Sequence, residues 1–442
     1  MEESHIHKRL AVISGVNVIA GNIDLLSEIL LRLPARSLIR FSLTCKLWFY
    51  IITGTQFRLS HCRTLALSNA LPYSGVYFYN SLTNLQKIDS VPLTGNVTNL
   101  PPVPLLDQMA AKTGYPVKVT QSCNGLLMCV ISSRTEVSDL KLGFVCNPAK
   151  NEYHPLPSPY DKNYEVVYGY NLIFDPSEPP YYKVFCIKRL GTTFRGFSFG
   201  STDLEVSVYV PGTESWRSCC RFYVDYTTRF DCGVFWNGAI HWIGEYSSVH
   251  FDAKSEEVVI KNMPPRPQGD FTEKIRYFGE WGGHLHLIQV QTRYAKRFNV
   301  LELDKDTWKW SAKYHVHLAR LISAFPEMIK QTPYGIHYAF SILSVIRGEN
   351  EEDSVLLLTI PGKVVAYNLV RKTTKVVREL PGEVANTLHF NHVSAYKYTE
   401  SLFPVREWSN TKKWCSYQRL ARTSPSGKGY LFGTSSEDLF EK

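Results

Sequence analysis

Two pairs of histidines are the residues whose types and spacing could do chemistry. They lie in "HLH" (284–286) and "HVH" (315–317), where strand alternation would place both imidazoles of a pair on one face. Two imidazoles on one face can begin a zinc site, but the sequence offers no third ligand. His241 and His286 also hold equivalent places in a repeat, where Met128 stands in another copy. We interpret both as structural positions and predict no metal and no cofactor.

The ten cysteines show neither catalytic nor metal-binding spacing, since the sequence has no C-x-x-C pair and no short ladder of cysteine and histidine. Motifs for phosphate-binding loops, nucleophile elbows and dinucleotide-binding turns are also missing. We therefore predict a protein that is not an enzyme, although an unmarked catalytic triad stays open. Scattered thiols without a disulfide pattern are typical of a reducing compartment, so we expect a cytoplasmic or nuclear protein.

The composition of the 442 residues is that of a folded globular protein, with 44% hydrophobic, 20% charged and 13% aromatic residues. The net charge of +9 is spread without a basic cluster, which disfavours nucleic-acid binding. No apolar run reaches the about 18 residues of a membrane span. The run from Leu10 to Ala20 has the outline of a signal peptide, but Gly15 and Asn17 interrupt it. We expect residues 1–20 to be a flexible segment, with a secreted β enzyme as an alternative.

The elements that must position these residues fall into two unlike parts, and the first is helical. Between Leu25 and Ile52, 18 of 28 residues are apolar. Asn22 or Asp24 can cap a first helix, and Pro34 must end it. A second helix follows with apolar residues around its whole axis, and a third short helix completes the unit.

Such a unit of about 40 residues cannot normally sustain its own core, and it has no metal ligands or disulfides to help. Its surplus apolar surface therefore needs a cover. Either a partner protein binds there, or the helices cap the domain that follows, and the residues alone leave both options open. We expect the first helix to hold the small bundle together and the second to be the main docking surface.

From residue 63 the sequence changes to short runs of β-branched and aromatic residues separated by Gly, Pro and Asn, which is typical of an all-β chain. Similar turns recur in "CNGLLMCV", "WNGAIHWI" and "WGGHLHLI". A second set of turn positions, Asn147, Val210, Asp252, Asp304 and Asn368, recurs at intervals of 63, 42, 52 and 64 residues. Propeller blades repeat every roughly 40 to 50 residues, plus loop insertions. With a leading unit at 62–90, we predict a β-propeller of about six blades; a β-sandwich is the alternative.

The helical stretch resembles the F-box. The matching residues, in order and in register, are Asp24, Glu28-Ile29-Leu30, Leu33-Pro34, Ser37-Leu38, Arg40-Phe41, Cys45-Lys46, Trp48, Phe57 and His61. The β part is similar to the F-box-associated domain of the large plant F-box family, through "CNGLL", "FVCNPAKNEYHPLP", "NGAIHW" and "YKYTESL". The chain is thus expected to be an α+β multidomain protein. Its predicted parts are the segment 1–20, a three-helix F-box at 21–62, a kelch-like propeller domain at 63–404 and a polar tail at 405–442.

This resemblance implies a substrate receptor of an SCF-type ubiquitin ligase. The F-box would dock on a Skp-family adaptor and through it on a cullin, while the β domain would recruit an unknown protein for ubiquitination and degradation. The chain would act by proximity, because it lacks the catalytic cysteine or RING spacing that a ligase with its own chemistry needs. By carry-over, the adaptor-facing residues are Leu30, Pro34, Leu38, Leu43 and Trp48. The family usually has Leu-Pro where this chain has Gly21-Asn22, and we expect weaker docking that is not abolished.

Target contacts are expected on variable loops at one end of the propeller axis. The longer insertions are 157–165, 190–202 and 264–276. Arg195, Phe197 and Phe199 are of types enriched at interface centres and are our candidates for substrate binding, with packing on a neighbouring blade as the alternative. Another class of function stays open, in which the propeller binds a protein or a glycan outside any ligase and the helices only cap it.

Overall fold

The computed structural model describes residues 22–67, 75–79, 88–93, 100, 102–134, 139–160, 166–175, 181–189, 202–213, 215–225, 227–263, 274–290, 296–333, 335–348, 350–380 and 395–405. Within these ranges, a small helical unit is followed by a ring of β-sheets. No helix in this part of the chain is long and apolar enough to cross a membrane.

The helical unit has four helices in the described residues: Ile23–Leu30 (α1), Ala35–Phe41 (α2), Lys46–Thr53 (α3) and Thr55–Leu67 (α4). The side chain of Asn22 caps α1 by accepting hydrogen bonds from the backbone N–H groups of Asp24 and Leu25 at 3.0 and 3.1 Å. One of the two predicted caps is thereby confirmed. The three predicted helices are present, and the sequence missed only α4, because its apolar residues do not line up on one face and gave no helical signal.

Six sheets form the blades of a β-propeller, which confirms the predicted class and number of blades. The first blade contains Gly75–Tyr79 (β1), Ile88–Pro92 (β2) and, from the far end of the chain, Ala395–Tyr398 (β25). The second contains Val117–Cys123 (β3), Leu126–Arg134 (β4), Asp139–Asn147 (β5) and Glu152–Pro155 (β6). The third contains Val166–Phe174 (β7), Tyr182–Arg189 (β8), Thr202–Tyr209 (β9) and Arg217–Val224 (β10).

The remaining three blades also have four strands each. The fourth contains Val234–Trp236 (β11), Ala239–Ile243 (β12), Ser247–Asp252 (β13) and Val258–Asn262 (β14). The fifth contains Lys274–Trp281 (β15), His284–Val290 (β16), Arg297–Leu303 (β17) and Trp310–His317 (β18). The sixth contains Ser341–Ile346 (β21), Val355–Ile360 (β22), Lys363–Asn368 (β23) and Thr374–Glu379 (β24). Further elements between blades are the helices Pro104–Thr113 (α5) and Ala319–Ala324 (α6) and the hairpin of Ile329–Thr332 (β19) and Gly335–Tyr338 (β20).

The ring closes between the first and the last described strands. β25 pairs antiparallel with β1, with Gly75 opposite Tyr398 and Phe78 opposite Ala395. The last described strand therefore completes a blade that the first strands began. This pairing brings the residues after β25 close to the helical unit, which precedes β1.

The two repeated sets of turns define the blade pattern. The Asn-Gly and Gly-Gly turns at 124–125, 237–238 and 282–283 join the first two strands of a blade, and all six residues have positive φ. The second set of predicted turn positions follows the third strand in five blades. At Asn147, Asp252, Asp304 and Asn368, the side-chain oxygen accepts hydrogen bonds from two following backbone N–H groups. The repeat could be predicted from the sequence because these turns are formed by their own residues.

The propeller has two distinct faces because neighbouring strands of a blade are antiparallel. Turns between first and second and between third and fourth strands lie on one face, which we call the turn face. Connections between second and third strands, and from one blade to the next, lie on the opposite face, which we call the crossover face. Asn124 and Asn147 mark the turn face in the second blade, and Gly244 marks the crossover face in the fourth.

Candidate functional site

The helical unit carries a set of exposed apolar side chains that its own core does not use. Two of them, Leu25 and Ile29, are 46% and 47% exposed and lie one turn apart on α1. The others are Ile23, Leu43, Leu47 and Tyr50, with Tyr50 69% exposed. We call these six residues the apolar surface of the helical unit. Single exposed apolar residues are common, but several on a unit of this size indicate a surface for a partner.

The five residues predicted to face an adaptor do not share one environment. Leu43 is exposed, and Pro34 and Trp48 are partly buried. Leu30 and Leu38 are 1% and 0% exposed and belong to the core of the helical unit. The interpretation of these two as surface residues is therefore corrected: both hold the bundle together. Adaptor contact by the remaining three stays a prediction.

The expected division of roles between the first two helices does not match their burial, because both helices contribute buried residues to the core. On α2, Ala35 and Leu38 are buried, and Ile39 packs against the same core. α1 buries Leu26 and Leu30 and leaves its other apolar side chains outside. The apolar residues of α1 span an arc that is wider than one contact with the core can bury. This width could have predicted from the sequence that some of them stay exposed.

A segment from the other end of the chain covers α2. Residues 399–405, which we call the strap, leave β25 and run against the helical unit. Leu402 is 3% exposed and is part of the same core cluster as Leu30 and Leu38. The Glu400 carboxylate accepts a hydrogen bond from the backbone N–H of Arg36 at 3.1 Å and another from its side-chain Nε. The quoted segment "YKYTESL" contains both residues, but its sequence gave no sign of what they contact.

The propeller encloses a central cavity of about 420 Å³, lined by the innermost strands of the blades. Two of its polar groups are paired within the protein: the Nζ of Lys397 lies 3.1 Å from a Glu280 carboxylate oxygen, and the side-chain amide of Gln121 donates to the carbonyl of Leu172 at 3.0 Å. Burial raises the pKa of the Cys123 thiol in the wall to about 12. A thiol with that pKa is protonated at neutral pH and is not an activated nucleophile.

The histidines of "HLH" contact a carboxylate. His284 Nδ1 lies 3.0 Å and His286 Nε2 3.5 Å from the two oxygens of Glu302, so both rings are on one strand face as expected. A guanidinium nitrogen of Arg347, from the sixth blade, lies 2.9 Å from the same carboxylate. Burial would raise the pKa of Glu302, but the close contact with His286 and the charges of His284 and Arg347 outweigh it and lower the pKa to about 2. The cluster joins two blades.

The second histidine pair is also tied to the fold. His315 Nδ1 lies 2.8 Å from the Asn299 side-chain oxygen, and His317 Nδ1 accepts a hydrogen bond from the backbone N–H of Ala319 at 3.2 Å. In the part of the chain that the structure describes, no group of three or more His, Cys, Asp or Glu residues could hold a metal ion.

The candidate target-binding residues Arg195, Phe197 and Phe199 lie outside the described residues. The strands on either side of them are described: β8 ends at Arg189 and β9 begins at Thr202, and both of these strand ends lie on the crossover face. Their role stays a prediction.

Comparison with known proteins decides the family. The model of the F-box domain matches residues 22–60, and that of the F-box associated beta propeller domain matches residues 97–378, more than half of the chain. The chain is a plant F-box protein. The F-box protein At5g07610 of Arabidopsis thaliana is 31% identical over 377 residues, which cover 82% of this chain and 86% of the relative.

Two further Arabidopsis thaliana relatives have lower identity to this F-box protein and match it over a shorter length. The F-box protein At5g18160 is 26% identical, covering 67% of this chain and 70% of its own. The F-box/LRR-repeat/kelch-repeat protein At2g27520 is 25% identical, covering 53% of this chain and 57% of its own. An F-box joined to a β-propeller is the organisation of a substrate-recognition protein, and F-box proteins are generally non-catalytic adaptor subunits.

Proposed function

We propose that this F-box protein is the substrate receptor of an SCF-type ubiquitin ligase. The apolar surface of the F-box docks on a Skp-family adaptor and through it on a cullin, and the propeller recruits a target protein for ubiquitination and degradation. The observation that carries the proposal is the set of apolar side chains that stay exposed on the helical unit although its core, with Leu402 included, is packed without them. The protein acts by proximity, since holding a target near the conjugating enzyme makes their encounter local.

Target binding is proposed on the crossover face. The strap contacts turns that lie on the turn face, namely Gly125 and Asn147 of the second blade, so the F-box sits on that side. The described strand ends that border 157–165, 190–202 and 264–276 lie on the opposite side. A target held there by Arg195, Phe197 and Phe199 would not compete with the adaptor for space.

The nine described cysteines are all free thiols, which supports action in the cytoplasm or the nucleus. The alternative, a propeller that binds a protein or glycan with helices that only cap it, is favoured by one observation, the packing of Leu402 in the F-box core. Capping does not explain why Leu25, Ile29 and Tyr50 remain exposed.

The test measures binding of the full chain to a purified Skp-family adaptor. Each of Leu25 and Ile29 has about half of its side chain left to bury, worth about 1 kcal/mol apiece. The double variant Leu25→Ser and Ile29→Ser should therefore bind roughly 30-fold more weakly with an unchanged melting temperature. The matched control replaces Val259 and Ile260, exposed on β14 by 41% and 43%, with Ser. Absence of adaptor binding by the native chain would refute the proposal.

A further inference from the structure

The F-box of this chain is completed by residues that lie far outside it in the sequence. The F-box model matches only residues 22–60, yet Leu402 lies in the core formed by α1, α2 and α3. α2 has no side-chain cap of its own, because Pro34 occupies that position. The Glu400 carboxylate supplies the missing acceptor to the N–H of Arg36 and forms an ion pair with the Arg36 guanidinium.

The strap is held equally firmly by the propeller. The side-chain amide of Asn147 donates to the carbonyls of Ser401 and Phe403 at 2.9 and 2.8 Å, and Asn147 is 0% exposed. The ring of Phe403 packs edge-on against Phe174, with centroids 4.8 Å apart. A Cβ added at Gly125 would lie 2.4 Å from the carbonyl oxygen of Thr399, so the strap passes directly over this turn. Backbone held on both sides in this way has little freedom to move.

We propose that Glu400 and Leu402 are positioning residues for adaptor docking, because they fold α2 against the F-box core and fix the F-box on the propeller. The effect on adaptor docking rests on the proposed function. The role of Glu400 and Leu402 in folding the F-box rests on the contacts described above. A unit of about 40 residues has a marginal core of its own, so one buried leucine from outside is a large share of it. Adaptor affinity then depends on residues that do not touch the adaptor, since only the folded fraction of the F-box binds.

The experiment combines amide hydrogen exchange with adaptor binding on the full chain. Leu402→Ala leaves a cavity in the F-box core and should lower the exchange protection of α2 on the order of 100-fold. Adaptor affinity should fall by the factor by which the folded fraction of the F-box falls, and the exchange data give that factor. The matched control is Leu358→Ala, which removes a leucine that is 0% exposed in the sixth blade. It should lower protection in that blade and leave α2 unchanged.

A second pair of variants keeps the proposal testable if Leu402→Ala does not fold. The N–H of Arg36 has the Glu400 carboxylate as its acceptor, so Glu400→Ala should abolish its protection and Glu400→Gln should restore part of it. Unchanged protection of Arg36 in Glu400→Ala would overturn the proposal. So would an equal loss of α2 protection in Leu402→Ala and Leu358→Ala. Failure of the native chain to bind an adaptor would refute the proposed function instead, while the exchange data would still decide whether the strap completes the F-box.

Discussion

Asn147→Ala should destabilise the protein far more than the same change at the equivalent turn of another blade. Asn147 and Asn368 both follow the third strand of a blade and both accept two backbone N–H bonds. They differ in what their amide nitrogen donates to. Asn147 serves the carbonyls of Ser401 and Phe403, which are 1% and 3% exposed, whereas Asn368 donates to the carbonyl of the exposed Glu352 at 2.7 Å.

The magnitude follows from these partners. A buried carbonyl left without a donor costs about 1–3 kcal/mol, so the two carbonyls at Asn147 together cost about 4 kcal/mol. The Glu352 carbonyl can bind water instead, and its loss costs about 1 kcal/mol. Both variants also lose two hydrogen bonds within the turn, and the cost of losing them cancels when the two variants are compared. Asn147→Ala should therefore lower the free energy of unfolding by about 3 kcal/mol more than Asn368→Ala.

Urea unfolding of the full chain, followed by tryptophan fluorescence, measures this difference directly. The slope of the free energy against urea should be the same for both variants, since neither changes the surface exposed on unfolding. A difference between them below about 0.5 kcal/mol, the range of an ordinary surface substitution, would refute the idea that the strap is held by Asn147.

Two further predictions concern acid stability and the first helix. Burial lowers the pKa of His241 from the usual 6.5 to about 4, so the unfolded chain binds the proton more readily and stability falls as the pH drops from 6.5 towards 4. Between pH 7 and pH 5, His241 should lower the free energy of unfolding by about 2 kcal/mol. His241→Gln should remove this loss from the pH dependence measured by urea unfolding. An unchanged pH dependence would contradict the prediction. Asn22→Ala should destabilise α1 by about 1 kcal/mol, seen as faster exchange of the Leu26 amide, while Asn22→Asp should not. Equal exchange in the two variants would show that the cap is not needed.

The blade pattern could be predicted from the sequence because its signals are local. An Asn-Gly pair such as Asn124–Gly125 adopts positive φ whatever surrounds it, and an Asx turn such as that at Asp252 needs only its next few residues. Their spacing therefore revealed the repeat and the number of blades. The fourth F-box helix was missed for the opposite reason, since its apolar residues serve contacts on several sides and form no stripe.

The site was less predictable because burial is decided by distant parts of the chain. Leu30, Leu38 and Leu43 were all expected to face the adaptor, yet the first two are core and the third is exposed. The Arg36–Glu400 contact joins residues 364 positions apart, which no periodicity can reveal. The departure at Gly21-Asn22 also has a local meaning that the motif comparison missed, because Asn22 caps α1. Whether the cap offsets the expected loss of docking is decided by the adaptor-binding measurement.

Ring closure explains why the residues that follow β25 meet the F-box. A propeller that starts and ends in the same blade must bring its last strand beside its first, and here β25 lies inside β1. β25 ends at Tyr398 on the turn face, so the chain that follows emerges on the side where the F-box enters β1. The strap can therefore reach the F-box core without a long connection. Loss of the pairing between β25 and β1 would withdraw Glu400 and Leu402 from the F-box. The arrangement of the apolar surface therefore depends on the closed ring of blades.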